Sequence, residues 1–86
     1  MPLYFAAHTT ACRTKQALRE LTQGLLAARD VQVHRAVASQ HGGRMLTEAE
    51  APDQSTLEKF CESHRVNCQW VMRINLDAHD DAVTEY

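Results

Sequence analysis

VQVHRAVASQHGGRMLTEAEA, residues 31–51, is the stretch on which the fold turns. Its first half alternates and carries three valines, Val31, Val33 and Val37, a pattern that suits a strand. Gly42-Gly43 follows, and then RMLTEAEA, residues 44–51, with Glu48 and Glu50 one residue apart. Two strands around Gly-Gly predict a tight hairpin with a two-residue primed turn. Such a loop sets the register. It places Arg35 opposite Glu50, Val37 opposite Glu48 and Ser39 opposite Leu46. The other face then carries His34, Ala36 and Ala38 against Ala51, Ala49 and Thr47.

Outward from the hairpin, TKQALRELTQGLLAAR, from Thr14, repeats Leu18, Leu21 and Leu25 at helical spacing, extended by Ala17 and Ala28. Thr14 is the expected N-cap. PLYFAAHT, from Pro2, reads as a first strand. After the hairpin, Pro52-Asp53 stops the strand, and Ser55 with Glu58 three residues on predicts a capping box. Leu57, Phe60, Cys61 and His64 share one face of that second helix. CQWVMRINLD, from Cys68, is the last strand, with Trp70, Met72, Ile74 and Leu76 alternating. Residues 1–78 form one domain, and 79–86 are expected as a loose acidic tail.

The order β-α-β-β-α-β predicts an α+β ferredoxin-like sandwich, a four-stranded antiparallel sheet with two helices on one face. The first and third strands are expected to be central, adjacent and parallel. Leu3, Phe5 and Ala7, with Trp70, Met72, Ile74 and Leu76, are assigned to the core under the helices. Tyr4, Ala6, His8, Val71, Arg73 and Asn75 fall on the open face, beside Val33, Arg35, Val37, Leu46, Glu48 and Glu50. That face is too apolar to be left in water. A homodimer is therefore expected, as a dimeric α+β barrel.

At 86 residues the chain is one small domain. Its net charge of −2 offers no basic footprint for nucleic acid. No apolar run approaches a membrane span, and MPLYFAAH lacks the features of a signal peptide, so the cytoplasm is expected. Three cysteines, Cys12, Cys61 and Cys68, with no CxxC, suit free thiols in a reducing compartment.

Two groups of residues carry candidate chemistry. His8 and Glu50 are expected to end adjacent parallel strands, and Cys12 follows His8 within a short loop. Imidazole, carboxylate and thiolate together suit a divalent transition metal such as nickel or zinc. Arg35, Glu48 and Arg73 form a second, polar cluster suited to a small anionic ligand, with His8 or Glu48 as a base if the chain is an enzyme. Cys61, on the apolar stripe of the second helix, is assigned to the core.

The stretch RMLTEAEAPDQSTLEKF, preceded by HRAVASQHGG, resembles a family of small bacterial ferredoxin-like proteins of the DUF4242 type, some of which are described as nickel-binding. The shared pattern is Arg35 in the second strand, the turn at Gly42-Gly43, Arg44-Met45, the acidic strand through Glu48 and Glu50, and Ala51-Pro52-Asp53. It covers about a third of the chain. The resemblance implies a small homo-oligomer that binds a transition metal. The expected function is thus a cytoplasmic homodimeric metal-binding protein. The alternatives are a small-molecule-binding or catalytic barrel and a structural or regulatory partner protein.

Overall fold

Thr14 and Asp53 start the two helices. The computed structural model describes every residue, Met1–Tyr86. Helix α1 spans Lys15–Ala27, and the Thr14 hydroxyl accepts from the Ala17 amide at 3.1 Å. Helix α2 spans Gln54–Ser63, and its cap is the Asp53 carboxylate, 2.7 Å from the Thr56 amide. The expected Ser55–Glu58 box is displaced by this earlier acid, which bonds the third amide after it. The buried stripes, Leu18 and Leu25 on α1 and Leu57, Phe60 and Cys61 on α2, are the ones the helical spacing predicts.

Four strands, β1 Leu3–Thr9, β2 Gln32–Ser39, β3 Arg44–Glu50 and β4 Trp70–Arg73, form one sheet in the order β2-β3-β1-β4. Every neighbouring pair is antiparallel, including β1 with β3. The expected parallel pairing of the first and third strands is therefore corrected. His8 pairs with Met45 at one end of the sheet, while Glu50 pairs with Leu3 at the other.

The hairpin differs from the two-residue expectation. β2 ends at Ser39 and β3 begins at Arg44, paired with it, so the loop runs from Gln40 to Gly43. The Gly43 amide bonds back to the Ser39 carbonyl at 3.0 Å, and its φ of +63° is one glycine adopts without strain. The longer loop moves the register by two residues, which keeps the faces and changes the partners. Arg35 stands opposite Glu48, and Val37 opposite Leu46. A bulge between Val33 and Arg35 then places His34 beside Glu50 on the open face, and Val33 in the core.

The central and edge strands β1 and β4 present the opposite faces to those expected. Tyr4 and Ala6 join Val33, Met45 and Ala49 in the core with Leu25 of α1 and Leu57, Phe60 and Cys61 of α2. Trp70 and Met72 lie on the other side, 48% and 50% exposed. Alanines and Thr47 on the helix face leave the helices space to pack close, whereas the indole of Trp70 has room only on the open face. The register lines the open face into two rows across the sheet. One runs Val37, Leu46, Ala7, Trp70, and the next runs Arg35, Glu48, Phe5, Met72.

Residues 79–86, expected as a loose tail, are instead mostly paired. β5 Leu76–His79 and β6 Ala82–Glu85 make a separate two-stranded sheet. Asp80 and Asp81 turn it with φ of 51° and 63°, the two positive values of a primed hairpin turn. The last strand is correspondingly shorter than CQWVMRINLD suggested. No helix is long and apolar enough to cross a membrane.

Candidate metal centre

His8, one residue from the end of β1, projects to the helix side of the sheet and is 1% exposed. A bare imidazole there would be costly, and both ring nitrogens are engaged. Nδ1 lies 2.7 Å from the Asn67 carbonyl, and Nε2 lies 2.9 Å from Thr47 Oγ1. A carbonyl only accepts, so Nδ1–H donates to Asn67 and Nε2 accepts from the Thr47 hydroxyl.

The end of α2 brings the sulfurs to this ring. After the cap residue His64, Arg65 adopts a left-handed φ of 59°. The Arg65 amide bonds the Glu62 carbonyl at 2.9 Å, and the Val66 amide bonds the Cys61 carbonyl at 2.9 Å. These two bonds form a Schellman stop, here with arginine where glycine is usual. It turns the chain back on the helix end. Asn67 Oδ1 then accepts from the Thr9 amide at 2.9 Å, and the Gln69 amide donates to the Ala7 carbonyl at 2.7 Å, fastening the loop to β1. Between those two anchors sits Cys68, with Sγ 3.9 Å from His8 Nδ1.

His8, Cys61 and Cys68 offer one nitrogen and two sulfurs, all within 4.8 Å of one another. Burial holds the His8 imidazole below its ordinary value, against the Asn67 hydrogen bond that raises it. Burial, reinforced by the bond to Cys68, pushes the Cys61 thiol far up. Burial also raises the Cys68 thiol. All three groups are thus uncharged near neutrality.

This donor set fits a tetrahedral dication. With metal–sulfur and metal–nitrogen bonds of about 2.3 and 2.05 Å, ligand atoms stand about 3.8 Å apart for two sulfurs and about 3.6 Å for sulfur and nitrogen. The 3.9 Å between His8 Nδ1 and Cys68 Sγ is close to that, and no pair of ligand atoms is more than 4.8 Å apart. Two thiolates and a neutral imidazole also cancel the charge of a divalent ion, so the occupied site would carry no net charge into a buried environment.

The residues expected from sequence are distributed differently. Of His8, Cys12 and Glu50, only His8 belongs to the cluster. Cys12 is exposed in the loop before α1, and Glu50 accepts from His34 at 3.1 Å at the other end of the sheet. The parallel strand pairing had brought them together, and the antiparallel register separates them. Cys61 is buried as expected, yet its sulfur also faces the cluster. The missed signal is a cysteine in the last turns of a helix, followed seven residues later by another just before a strand that pairs with the one bearing His8. Arg35, Glu48 and Arg73, in contrast, all line one cavity of about 640 Å³ on the open side of the sheet.

No protein family matches the chain by sequence profile, and no curated protein matches it. Among solved structures the chain is similar to SCO4226 from Streptomyces coelicolor A3(2), with a TM-score of 0.76 and 19% sequence identity. The match covers 88% of this chain and 99% of that one. The two share a fold: a compact α+β arrangement of two helices on a four-stranded antiparallel sheet.

Proposed function

We propose that this chain binds a divalent transition-metal ion through His8, Cys61 and Cys68. The observation that carries the reading is the convergence of one imidazole and two thiols from three separate segments, within 4.8 Å and largely buried. Ligation at Nδ1 requires that nitrogen to release its proton and its bond to the Asn67 carbonyl, and the ring proton then sits on Nε2 and donates to Thr47 Oγ1. A hydroxyl can reverse its role from donor to acceptor by rotation, so Thr47 serves both states. Soft sulfur with imidazole favours zinc or nickel over magnesium or calcium. Nickel is the ion to which the resemblance in RMLTEAEAPD points. The strand order β2-β3-β1-β4 supports a ferredoxin-like topology of the DUF4242 type.

The same reading takes the protein to be a homodimer. Its support is the apolar row of the open face, where Val37 and Leu46 are 43% exposed and Trp70 lies beside them across Ala7.

Anaerobic titration of the reduced protein with zinc, nickel and cobalt tests the metal reading. One equivalent should bind tighter than about 1 µM, with thiolate-to-metal absorption for cobalt and nickel. The half-buried Cys68→Ser should weaken binding about 100-fold while leaving the circular dichroism unchanged, and Cys12→Ser should bind as the parent does. Absence of binding below about 1 mM, or equal loss in Cys12→Ser and Cys68→Ser, overturns the assignment.

A further inference from the structure

Of the three donors in the metal cluster, His8 and Cys61 are 1% and 3% exposed, and only Cys68 is half-buried. Cys68 also lines a surface cleft of about 400 Å³ beside α2. The other lining residues are Glu58, Glu62, Val66 and Asn67. Cluster and cleft thus share one sulfur. An ion coming from water through this cleft meets Cys68 before the two buried ligands.

The cleft carries two carboxylates and no lysine or arginine. Glu58 and Glu62 stand four residues apart on α2, so they share one side of the helix. Neither has a lysine, arginine or histidine nitrogen within 4.0 Å. Glu58 accepts from Gln54 Nε2 at 2.9 Å, a neutral amide that leaves the charge in place. Both charges are felt at the sulfurs. Burial raises the Cys68 thiol, and Glu58 and Glu62 raise it further; Glu58 adds to the rise at Cys61 as well. A field that resists a thiolate at that spot attracts a cation to it.

We propose that Glu58 and Glu62 form the mouth of the metal centre, through which a hydrated divalent ion enters and leaves by way of Cys68. The inference rests on the metal reading above and adds how the ion is exchanged. An arriving ion carries its full double charge, and the two carboxylates stabilise it in the cleft. Once the ion is held by two thiolates its charge is cancelled, and the carboxylates have little left to attract. They therefore lower the barrier between water and the site while leaving the affinity of the site nearly unchanged. Entry and exit rates rise and fall together as a result.

Stopped-flow mixing of the reduced full chain with cobalt, read by thiolate-to-metal absorption, tests this, with release measured by displacement with excess zinc. The parent is compared with the double variant Glu58→Gln/Glu62→Gln, which keeps good helix formers in α2, and with Glu85→Gln in the β5–β6 hairpin. At about 10 mM ionic strength the double variant should take up cobalt about tenfold more slowly and release it about tenfold more slowly, with Kd within about threefold of the parent. At about 1 M salt the difference in rates should vanish. Glu85→Gln should match the parent throughout. Unchanged entry in the double variant at low salt, or an equal loss in Glu85→Gln, overturns the mouth and leaves the metal reading standing. Slower entry with faster release and a weaker Kd makes a carboxylate a ligand and overturns it too. Absence of cobalt binding in the parent overturns the metal reading, and the mouth with it.

Discussion

Thr47 Oγ1 lies 2.9 Å from His8 Nε2, across the β1–β3 pair, and both residues are almost wholly buried. The hydroxyl is the ring's only partner on that side. Thr47→Val keeps the shape and removes the bond. It should lower stability by about 1–3 kcal/mol, because a buried ring nitrogen is left unpartnered. It should also weaken metal binding about tenfold, since nothing then holds the ring proton on Nε2. Urea unfolding and a metal titration of the same sample check both. Unchanged affinity would mean that the ring does not ligate through Nδ1.

Protons leave when the proposed site fills. Both thiols are raised and the imidazole is lowered, so between about pH 7 and 8 the free site holds two thiol protons and a neutral ring. Forming two thiolates should release two protons per ion. Affinity should therefore rise about 100-fold per pH unit over that interval. Calorimetry in buffers of different ionisation enthalpy counts the protons directly. A slope near tenfold would leave only one sulfur as a ligand.

The cap of α2 sets a different pH dependence. The Thr56 amide holds the Asp53 carboxyl below its ordinary value of 3.8. A depressed folded-state value stabilises the fold above the unfolded value, and that contribution is lost as pH falls through the folded one. Asp53→Ala should thus melt below the parent at pH 7, and the difference should narrow as the solution is taken below pH 3.8. Thermal unfolding followed at several acid pH values checks the sign. Asp53→Asn, which keeps an accepting oxygen, should retain most of the neutral-pH stability.

The apolar row supplies the test of association. Val37→Asp places a charge opposite Leu46 in the middle of the proposed interface. It should weaken self-association by at least about tenfold, because the carboxylate would have to be desolvated. Sedimentation of parent and variant at about 50 µM decides the matter, and a monomeric parent refutes the dimer.

The helices and the extents of β1 to β3 were readable because periodicity reports them directly. Leu18, Leu25, Leu57 and Phe60 declare a buried stripe, and Gly42-Gly43 marks the hairpin. The faces of β1 and β4 were not readable. Leu3, Tyr4, Phe5, Ala6 and Ala7 are apolar on both sides, so alternation carries no sign, and size misleads when the helices sit over alanines. His34 was assigned to the wrong face because a bulge has no fixed sequence mark. The pairing of Asp80 and Asp81 as a turn was hidden by their charge, which reads equally as a solvated tail. His8 was identified as a candidate ligand for its position at a strand end. Its partners were not, because the direction of β3 relative to β1 decides which residues share that end, and the Schellman turn at Arg65 decides where Cys68 goes.

His8 and Cys68 are 60 positions apart in the chain. Donors so widely spaced do not meet until β1, the end of α2 and the loop fastened by Asn67 are all in place. An unfolded chain would have to close a very long loop to present the same three atoms. An ion held there would consequently be selective for the completed fold, and its binding energy would be felt as resistance to unfolding, growing with the logarithm of free metal concentration. Metal supply would then set the lifetime of the protein against proteolysis, through three side chains of which two, His8 and Cys61, are buried.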